Sequence, residues 1–190
     1  MAVNGKSKGS SFERQIAKLF DTWWNEVPGT FWRTKNSGGI DEPGDIAPRY
    51  RPQHSEKVWW PFVVECKHYK HVNLLNLFRE QNKLNVIKQW WEQSTREQKE
   101  AIKLGFHITP IRLIVFKANG YPTMCVISKN EFEDRCTTVV DNDLLFNLAD
   151  LDKYLTYTDA ELKETLVISC LDNFIKTFSR AELERMFKND

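Results

Sequence analysis

Apolar residues recur every three or four positions near the start of the chain, and they predict a helix over residues 11–27. The residues on this face are Phe12, Ile16, Leu19, Phe20 and Trp23. Ser10 followed three residues later by Glu13 has the pattern of a capping box, which predicts where the helix begins. Pro28 and Gly29 favour a turn and predict where it ends.

Short apolar runs rich in β-branched and aromatic residues predict five strands. They cover about residues 31–35, 44–47, 58–66, 111–117 and 123–128. Asn119 and Gly120 predict the turn between the last two strands. Residues 73–104 have a helical pattern, in one piece or in two pieces around Asn82, with an apolar cluster at Ile87, Trp90 and Trp91.

Residues 141–190 are predicted to be mostly helical. Two further capping patterns, Thr158 with Glu161 and Ser179 with Glu182, predict helices near 159–177 and 180–188. The elements then run helix, three strands, helix, two strands and helices. We expect an α/β fold with one mixed sheet flanked by helices: a flexible basic arm over 1–9, a core over 10–140 and a helical C-terminal extension over 141–190.

The composition is that of an ordinary globular protein, with 41% hydrophobic and 28% charged residues in a chain of 190. The apolar runs are too short to cross a bilayer, and no apolar segment of a signal peptide follows the first residues. Four cysteines without CxxC spacing favour neither a zinc ribbon nor a disulfide framework. We therefore expect an intracellular, cytoplasmic protein that does not enter a membrane.

The net charge of +1 is unevenly distributed along the chain. Residues 1–103 carry 17 Lys and Arg against 12 Asp and Glu, and residues 104–190 carry 10 against 14. The first part is therefore net +5 and the second net −4. A positive first half indicates a polyanionic partner such as nucleic acid, although a solvated surface explains the same excess.

Two carboxylates and a lysine form the most informative pattern. Asp45 begins one predicted strand, whereas Glu65 and Lys67 end the next and project from the same face, because alternate residues of a strand do so. If the two strands pair as a hairpin, Asp45 comes beside Glu65. Two carboxylates at one sheet edge favour a Mg²⁺ ion between them, to which the backbone carbonyl of Cys66 could add a ligand. Surface salt bridges are the alternative explanation.

Four segments together resemble the PD-(D/E)XK nucleases, and more narrowly the archaeal-type Holliday-junction resolvases. The segments are Lys8-Gly9-Ser10-Ser11-Phe12-Glu13-Arg14, Arg33 followed by Ser37-Gly38, Gly44-Asp45-Ile46, and Glu65-Cys66-Lys67. The resemblance covers about residues 6–117. Gly44 replaces the usual proline, the stretch between Asp45 and Glu65 is longer than in compact resolvases, and residues 141–190 have no counterpart.

The resemblance implies a restriction-endonuclease-like core in which Asp45 and Glu65 bind Mg²⁺ or Mn²⁺ and Lys67 assists phosphodiester hydrolysis. Glu13 would be a further acidic member of the site, unless it serves only in the capping box. Gln93 is a candidate because the superfamily often carries a polar residue on the helix after this strand; an exposed helix glutamine is the alternative. The expected DNA contacts are Lys8, Arg14, Arg33, Lys35, Ser37 and Lys70.

The function favoured by this resemblance is that of a Mg²⁺-dependent, structure-selective DNA endonuclease that resolves four-way junctions. Such an enzyme makes two symmetric nicks, so we expect a homodimer and branched DNA as its partners. One alternative is a nuclease of the same superfamily that acts on ends, flaps or a specific sequence. Another is a DNA-binding or scaffolding protein that keeps the fold without catalysis.

Overall fold

The structure is a computed structural model that describes residues 5–34, 43–49, 58–72, 86–104, 109–136, 154–159 and 162–187. Its helices are α1 (Gly5–Trp23), α2 (Val86–Lys103), α3 (Lys129–Cys136), α4 (Leu171–Thr177) and α5 (Arg180–Phe187). Its strands are β1 (Phe31–Arg33), β2 (Ile46–Pro48), β3 (Phe62–Tyr69), β4 (Ile111–Ala118), β5 (Met124–Ser128), β6 (Tyr154–Asp159) and β7 (Glu164–Cys170). No helix among these residues is both long enough and apolar enough to cross a membrane.

The strands form one mixed sheet in the order β1-β2-β3-β4-β5-β7-β6. Strands β2 and β3 pair antiparallel, with Ile46 opposite Val64, whereas β3 and β4 pair parallel from Phe62 opposite Ile111 to Tyr69 opposite Ala118. Helix α2 lies in the connection between these two parallel strands. The predicted mixed sheet flanked by helices is confirmed.

Strand residues are apolar on both faces of the sheet, so helices pack against both faces. On one face, α1 and α4 pack against residues such as Val64, Leu113 and Val115. On the other face, α2 packs against Ile114 and Phe116 of β4. Glu65 and Lys67 alternate with Val64 and Cys66 along β3, so they project toward α2.

Helix α1 corrects both predicted ends. It begins at Gly5, so residues 5–9 of the expected flexible arm are helical and Ser10 is not at the start of the helix. The periodic apolar pattern begins only at Phe12, and it could not reveal polar turns added before it. The helix ends at Trp23 because Asn25 takes a left-handed conformation (φ 53°), before Pro28 is reached.

The region that follows β5 is the largest correction to the predicted elements. Residues expected to begin a helix near 159 instead form the antiparallel hairpin β6–β7, in which Thr158 lies opposite Thr165. The side chain of Asp159 accepts a hydrogen bond from the Leu162 N–H at 3.0 Å, and Thr158 lies in β6, so Thr158 does not cap a helix. The two strands extend the central sheet, and the expected extension is therefore not wholly helical.

The second predicted cap in this region is confirmed. Glu182 accepts the Ser179 N–H at 2.7 Å, the Ser179 hydroxyl accepts the Glu182 N–H at 3.3 Å, and α5 follows. Two expectations lie outside the described residues: a helix over 73–85 and the side chains of Lys35 and Ser37. The division into arm, core and extension stays a prediction.

Candidate active site

Asp45 is fixed where the chain enters β2. Its N–H donates to the Val64 carbonyl at 2.7 Å, and its Oδ2 accepts the Cys66 N–H at 2.8 Å. Gly44 allows this close approach, because a Cβ there would lie 2.7 Å from the Val64 oxygen and because its φ is +83°. A proline could not adopt that φ, so the departure from the usual proline has a structural reason.

Glu65 and Lys67 lie within β3 and not at its end as expected, since the strand continues to Tyr69. Glu65 is almost completely buried, with 1% of its surface exposed. The Lys67 ammonium contacts Oε1 of Glu65 and also donates to Oε1 of Gln93 at 2.9 Å. The sequence pattern therefore marks a buried, paired group and not a set of surface salt bridges.

Gln93 of α2 joins this group and is not a free surface glutamine. Its Nε2 donates to Oε1 of Glu65 at 2.8 Å and to Oε1 of Glu97 at 3.1 Å. The amide oxygen of Gln93 is thereby left to accept a hydrogen bond from the Lys67 ammonium. One neutral side chain thus links two carboxylates and an ammonium across the space between β3 and α2.

Glu97 belongs to the same cluster and was missed by the sequence reasoning. It lies one helical turn beyond Gln93 and has only 9% of its surface exposed. A signal was present, because Glu97 occupies a core-facing position at helical spacing from Trp90 and Ser94, where an apolar residue is expected.

Glu13 lies beside the cluster on α1, where its carboxylate is paired with the Arg33 side chain of β1. Because Ser10 lies inside α1 and not at its start, the Ser10 and Glu13 pattern is not a capping box; the buried Glu13 is paired with Arg33 instead. The ion pair joins α1 to β1, which pairs with β2. Arg33 keeps 41% of its side chain exposed, so part of its guanidinium remains accessible to solvent.

Burial raises the pKa values of both central carboxyls. The pKa of Asp45 rises to about 6, where repulsion from Glu13 and Glu97 adds to burial and the backbone hydrogen bond to Asp45 opposes it. The pKa of Glu65 rises to about 9, through burial and then repulsion from Asp45 and Glu97, with Lys67 opposing. Glu65 in particular needs nearby positive charge to be ionised at neutral pH.

The oxygens that remain free suit a hard divalent cation. Oε2 of Glu65 and Oε2 of Glu97 are buried and have no hydrogen-bond partner among the described residues. Within that part of the chain, no three His, Cys, Asp or Glu side chains are already gathered closely enough to hold a metal ion. A sparse site of a few carboxylate oxygens, completed by water and phosphate, is the kind that Mg²⁺ prefers.

The structure describes four of the six residues expected to contact DNA. Lys8 and Arg14 are exposed on α1, and Lys70 is exposed directly after β3. Arg33 is exposed in part, as its ion pair with Glu13 shows. Lys35 and Ser37 lie outside the described residues, so their positions stay a prediction. The Cys66 side chain is buried on the α1 side of the sheet, which leaves only its backbone available to the site.

Comparison with known proteins finds one family. Residues 4–185 match the sequence profile of a family described as "Phage putative PDDEXK endonuclease". The match spans nearly the whole chain, including the β6–β7 hairpin and most of α5. No curated protein and no solved structure matches the chain significantly.

Proposed function

The chain belongs to this phage PDDEXK endonuclease family, and from that premise we propose that it hydrolyses DNA phosphodiesters with a divalent cation, Mg²⁺ or Mn²⁺. Asp45, Glu65 and Lys67 are the residues we assign to the reaction. The observation that carries the proposal is the buried Glu65, whose Oε1 contacts the Lys67 ammonium while its Oε2 has no partner among the described residues.

The cation would be held by Asp45 and Glu65, with the backbone carbonyl of Cys66 as a further ligand. When bound, it would supply Lewis-acid polarisation of the phosphodiester and lower the pKa of water, the nucleophile in this hydrolysis. Asp45 is suited to its part because the Cys66 N–H holds its Oδ2 in place. Glu13 would be a further acidic residue beside Asp45, paired with Arg33.

Lys67 would act on the phosphate. Its ammonium is held between Glu65 and the amide oxygen of Gln93, and only 16% of its side chain is exposed. A cation fixed in a dry site stabilises negative charge that develops on phosphoryl oxygens in the transition state, without having to reorganise during the reaction. Gln93 would keep the ammonium oriented and is not assigned a chemical step.

Branched DNA, and the four-way junction in particular, is the substrate we propose. The support is the resemblance of the Lys8–Arg14 segment and of the Asp45 and Glu65-Cys66-Lys67 pair to resolvases. A homodimer would place two such sites for symmetric nicks. The exposed Lys8, Arg14, Arg33 and Lys70, together with Lys35 and Ser37, would contact the phosphate backbone, which supplies affinity independent of sequence.

A cleavage assay tests both levels of this proposal. A labelled four-way junction and linear duplexes with the same arm sequences are incubated with Mg²⁺, with Mn²⁺ and with EDTA, and Asp45→Asn serves as the inactive control. We expect paired nicks in the junction, little cleavage of the duplexes, and none in EDTA. Preferential cleavage of the linear duplexes, internally or at their ends, would reject the junction as the substrate but would still support a nuclease. Binding without cleavage in either metal would favour the non-catalytic alternative.

A further inference from the structure

Glu97 carries an observation that the proposed reaction does not use. It extends from α2 into the space above β3, at hydrogen-bond distance from Gln93, and it is close enough to influence both Asp45 and Glu65 electrostatically. Its Oε2 is buried and unpaired among the described residues. A desolvated carboxylate oxygen without a partner is costly, so its presence in a core-facing position calls for a counter-charge.

The charges around Glu97 do not balance. Asp45, Glu65 and Glu97 are three buried carboxyls, and Lys67 is the cation that contacts this group among the described residues. Glu13 and Arg33 neutralise each other in their own ion pair. If all three carboxyls are ionised, two negative charges remain, and a single divalent cation would offset them.

Gln93 cannot supply the missing charge. Its neutral amide already donates to Glu65 and Glu97, and neither bond reaches the second oxygen of either carboxylate. The two unpaired oxygens thus belong to neighbouring carboxylates that share one amide. Each of these oxygens is therefore free to accept a positively charged ligand.

We propose that Glu97 is a third acidic residue of the cation site, which strengthens divalent-cation binding through its charge and its free Oε2. The inference rests on the proposed function, because it concerns the same cation. The described residues hold no metal cluster already in place, so Glu97 is not a preformed ligand. It increases the attraction for the ion and keeps Gln93 turned so that its carbonyl faces Lys67.

A purely structural role for Glu97 makes a different prediction. If Glu97 served only to hold Gln93, a glutamine at position 97 would replace it, because its amide oxygen can accept the same hydrogen bond. If Glu97 serves the cation, Glu97→Gln removes the needed charge while keeping the size and the hydrogen bond. The same change should not destabilise the cation-free protein, since it removes a desolvated charge.

Mn²⁺ binding to the full chain, measured by calorimetry or by the electron paramagnetic resonance of free Mn²⁺, tests the proposal without any cleavage. We expect Glu97→Gln to weaken Mn²⁺ binding at least about tenfold, and to melt at or above the wild-type temperature without metal. Glu92→Gln, at an exposed position of α2, is the matched control and should bind within about twofold of wild type. Glu97→Asp, which keeps the charge, should bind Mn²⁺ more tightly than Glu97→Gln.

The outcomes separate this inference from the proposed function. If the affinity for Mn²⁺ falls in Asp45→Asn but stays at the wild-type level in Glu97→Gln, only the role of Glu97 is overturned. A wild-type chain that binds no Mn²⁺ overturns both proposals. If Glu97→Gln weakens binding but also melts well below wild type, Glu97→Asp decides: binding no tighter than that of the glutamine variant rejects the charge role.

Discussion

Two buried polar clusters lie under helix α2, and they differ in how completely their groups are paired. In the first, Arg112 of β4 donates to Glu131 at 2.9 Å, to Thr95 at 2.6 Å, and to both oxygens of Glu164 at 2.8 Å. Its guanidinium also lies 4.2 Å from the centre of the Trp91 ring. The donors of this buried arginine are satisfied in several directions.

The second cluster is the candidate active site, on the same side of the sheet. Glu65 and Glu97 are more deeply buried than Glu131 and Glu164, yet each keeps an oxygen without a partner among the described residues. The acidic groups of the Arg112 cluster reach solvent and share a cation. Those of the active site are enclosed; three carboxyls there face one cation, against two in the Arg112 cluster, and two of their oxygens have no partner among the described residues.

The difference separates polar groups that stabilise the fold from polar groups retained for chemistry. A buried charge network helps a protein only when its members are paired, because each unpaired member costs its desolvation energy. The Arg112 cluster meets that condition and ties β4, α2, α3 and β7 together. The active-site cluster does not meet it, and the carboxylates there are expected to be destabilising until a cation binds.

The largest expected effect is the loss of cleavage in Asp45→Asn and in Glu65→Gln. Each change removes a carboxylate assigned to the cation, so single-turnover cleavage should fall by more than roughly 10³-fold. DNA binding should remain, because neither residue is proposed to contact DNA. Cleavage is followed on a labelled junction in Mg²⁺, and affinity by fluorescence anisotropy. Near wild-type cleavage by either variant would remove that residue from the site.

Lys67→Ala is expected to have the next largest effect. Loss of one electrostatic donor in a dry site lowers the rate by roughly 10²- to 10³-fold, while junction affinity should change by less than about tenfold. Lys67→Arg should recover little activity, because a planar guanidinium does not fit where a compact ammonium is held between two oxygens. Lys103→Ala, an exposed change at the end of α2, is the control. A Lys67→Ala chain that cleaves at the wild-type rate would contradict the catalytic assignment.

Arg112→Met tests the other side of the comparison and should affect stability instead of rate. Removing the shared cation leaves Glu131 and Glu164 with only neutral hydrogen-bond donors such as Gln98 and Trp91, which should cost about 3 kcal/mol, or roughly 6–12 °C in melting temperature. Cleavage per folded molecule at 25 °C should stay within about threefold of wild type. A large loss of rate with an unchanged melting temperature would mean that the Arg112 cluster is part of the active site.

The pairing at the centre of the site could be predicted because it is local. Asp45 and Glu65 belong to strands that follow one another, so alternation along β3 and a hairpin were enough to bring them together. Glu97 could not be found in this way. The helical spacing of α2 marks Glu97 as core-facing, but it does not show which residue of β3, about 30 positions earlier in the chain, Glu97 lies beside.

The β6–β7 hairpin was missed for a different reason. Residues that cap a helix also form side-chain turns, and Asp159 uses this chemistry in the turn before β7. The apolar segment Leu166–Ile168 is too short for its period to distinguish a buried strand from a helix. It becomes a strand because β5 and β6 offer it partners on both sides, which is information that the local sequence does not contain.

The smallest expected effect concerns the pH dependence of stability in the cation-free protein. Burial raises the pKa of Glu65 from its ordinary 4.5 to about 9, so the folded state binds a proton more tightly than the unfolded state does. Stability from this group is therefore fully present below about pH 4.5 and is lost as pH rises toward about 9. Asp45, whose pKa is raised to about 6, adds to the loss between about pH 4 and pH 6.

Glu65→Gln should remove most of this dependence, because a neutral amide has no proton to lose. At pH 8 without metal, the variant should be more stable than wild type by about 1–2 kcal/mol, or roughly 2–8 °C in melting temperature. At pH 5, where Glu65 is protonated in the folded state, the two proteins should melt within about 2 °C of each other. Glu92→Gln, on the exposed side of α2, should follow wild type at both pH values.

Adding Mg²⁺ should reverse the order at pH 8, since the ion stabilises the ionised Glu65 of the wild type and has less to bind in the variant. Thermal unfolding at pH 5 and pH 8, with EDTA and with Mg²⁺, measures all of these differences. A Glu65→Gln protein that is less stable than wild type at pH 8 in EDTA would show that the Glu65 carboxylate is already fully compensated by Lys67 and Gln93. The charged groups of the active-site cluster would then be as fully paired as those of the Arg112 cluster, and the contrast between the two clusters would fail.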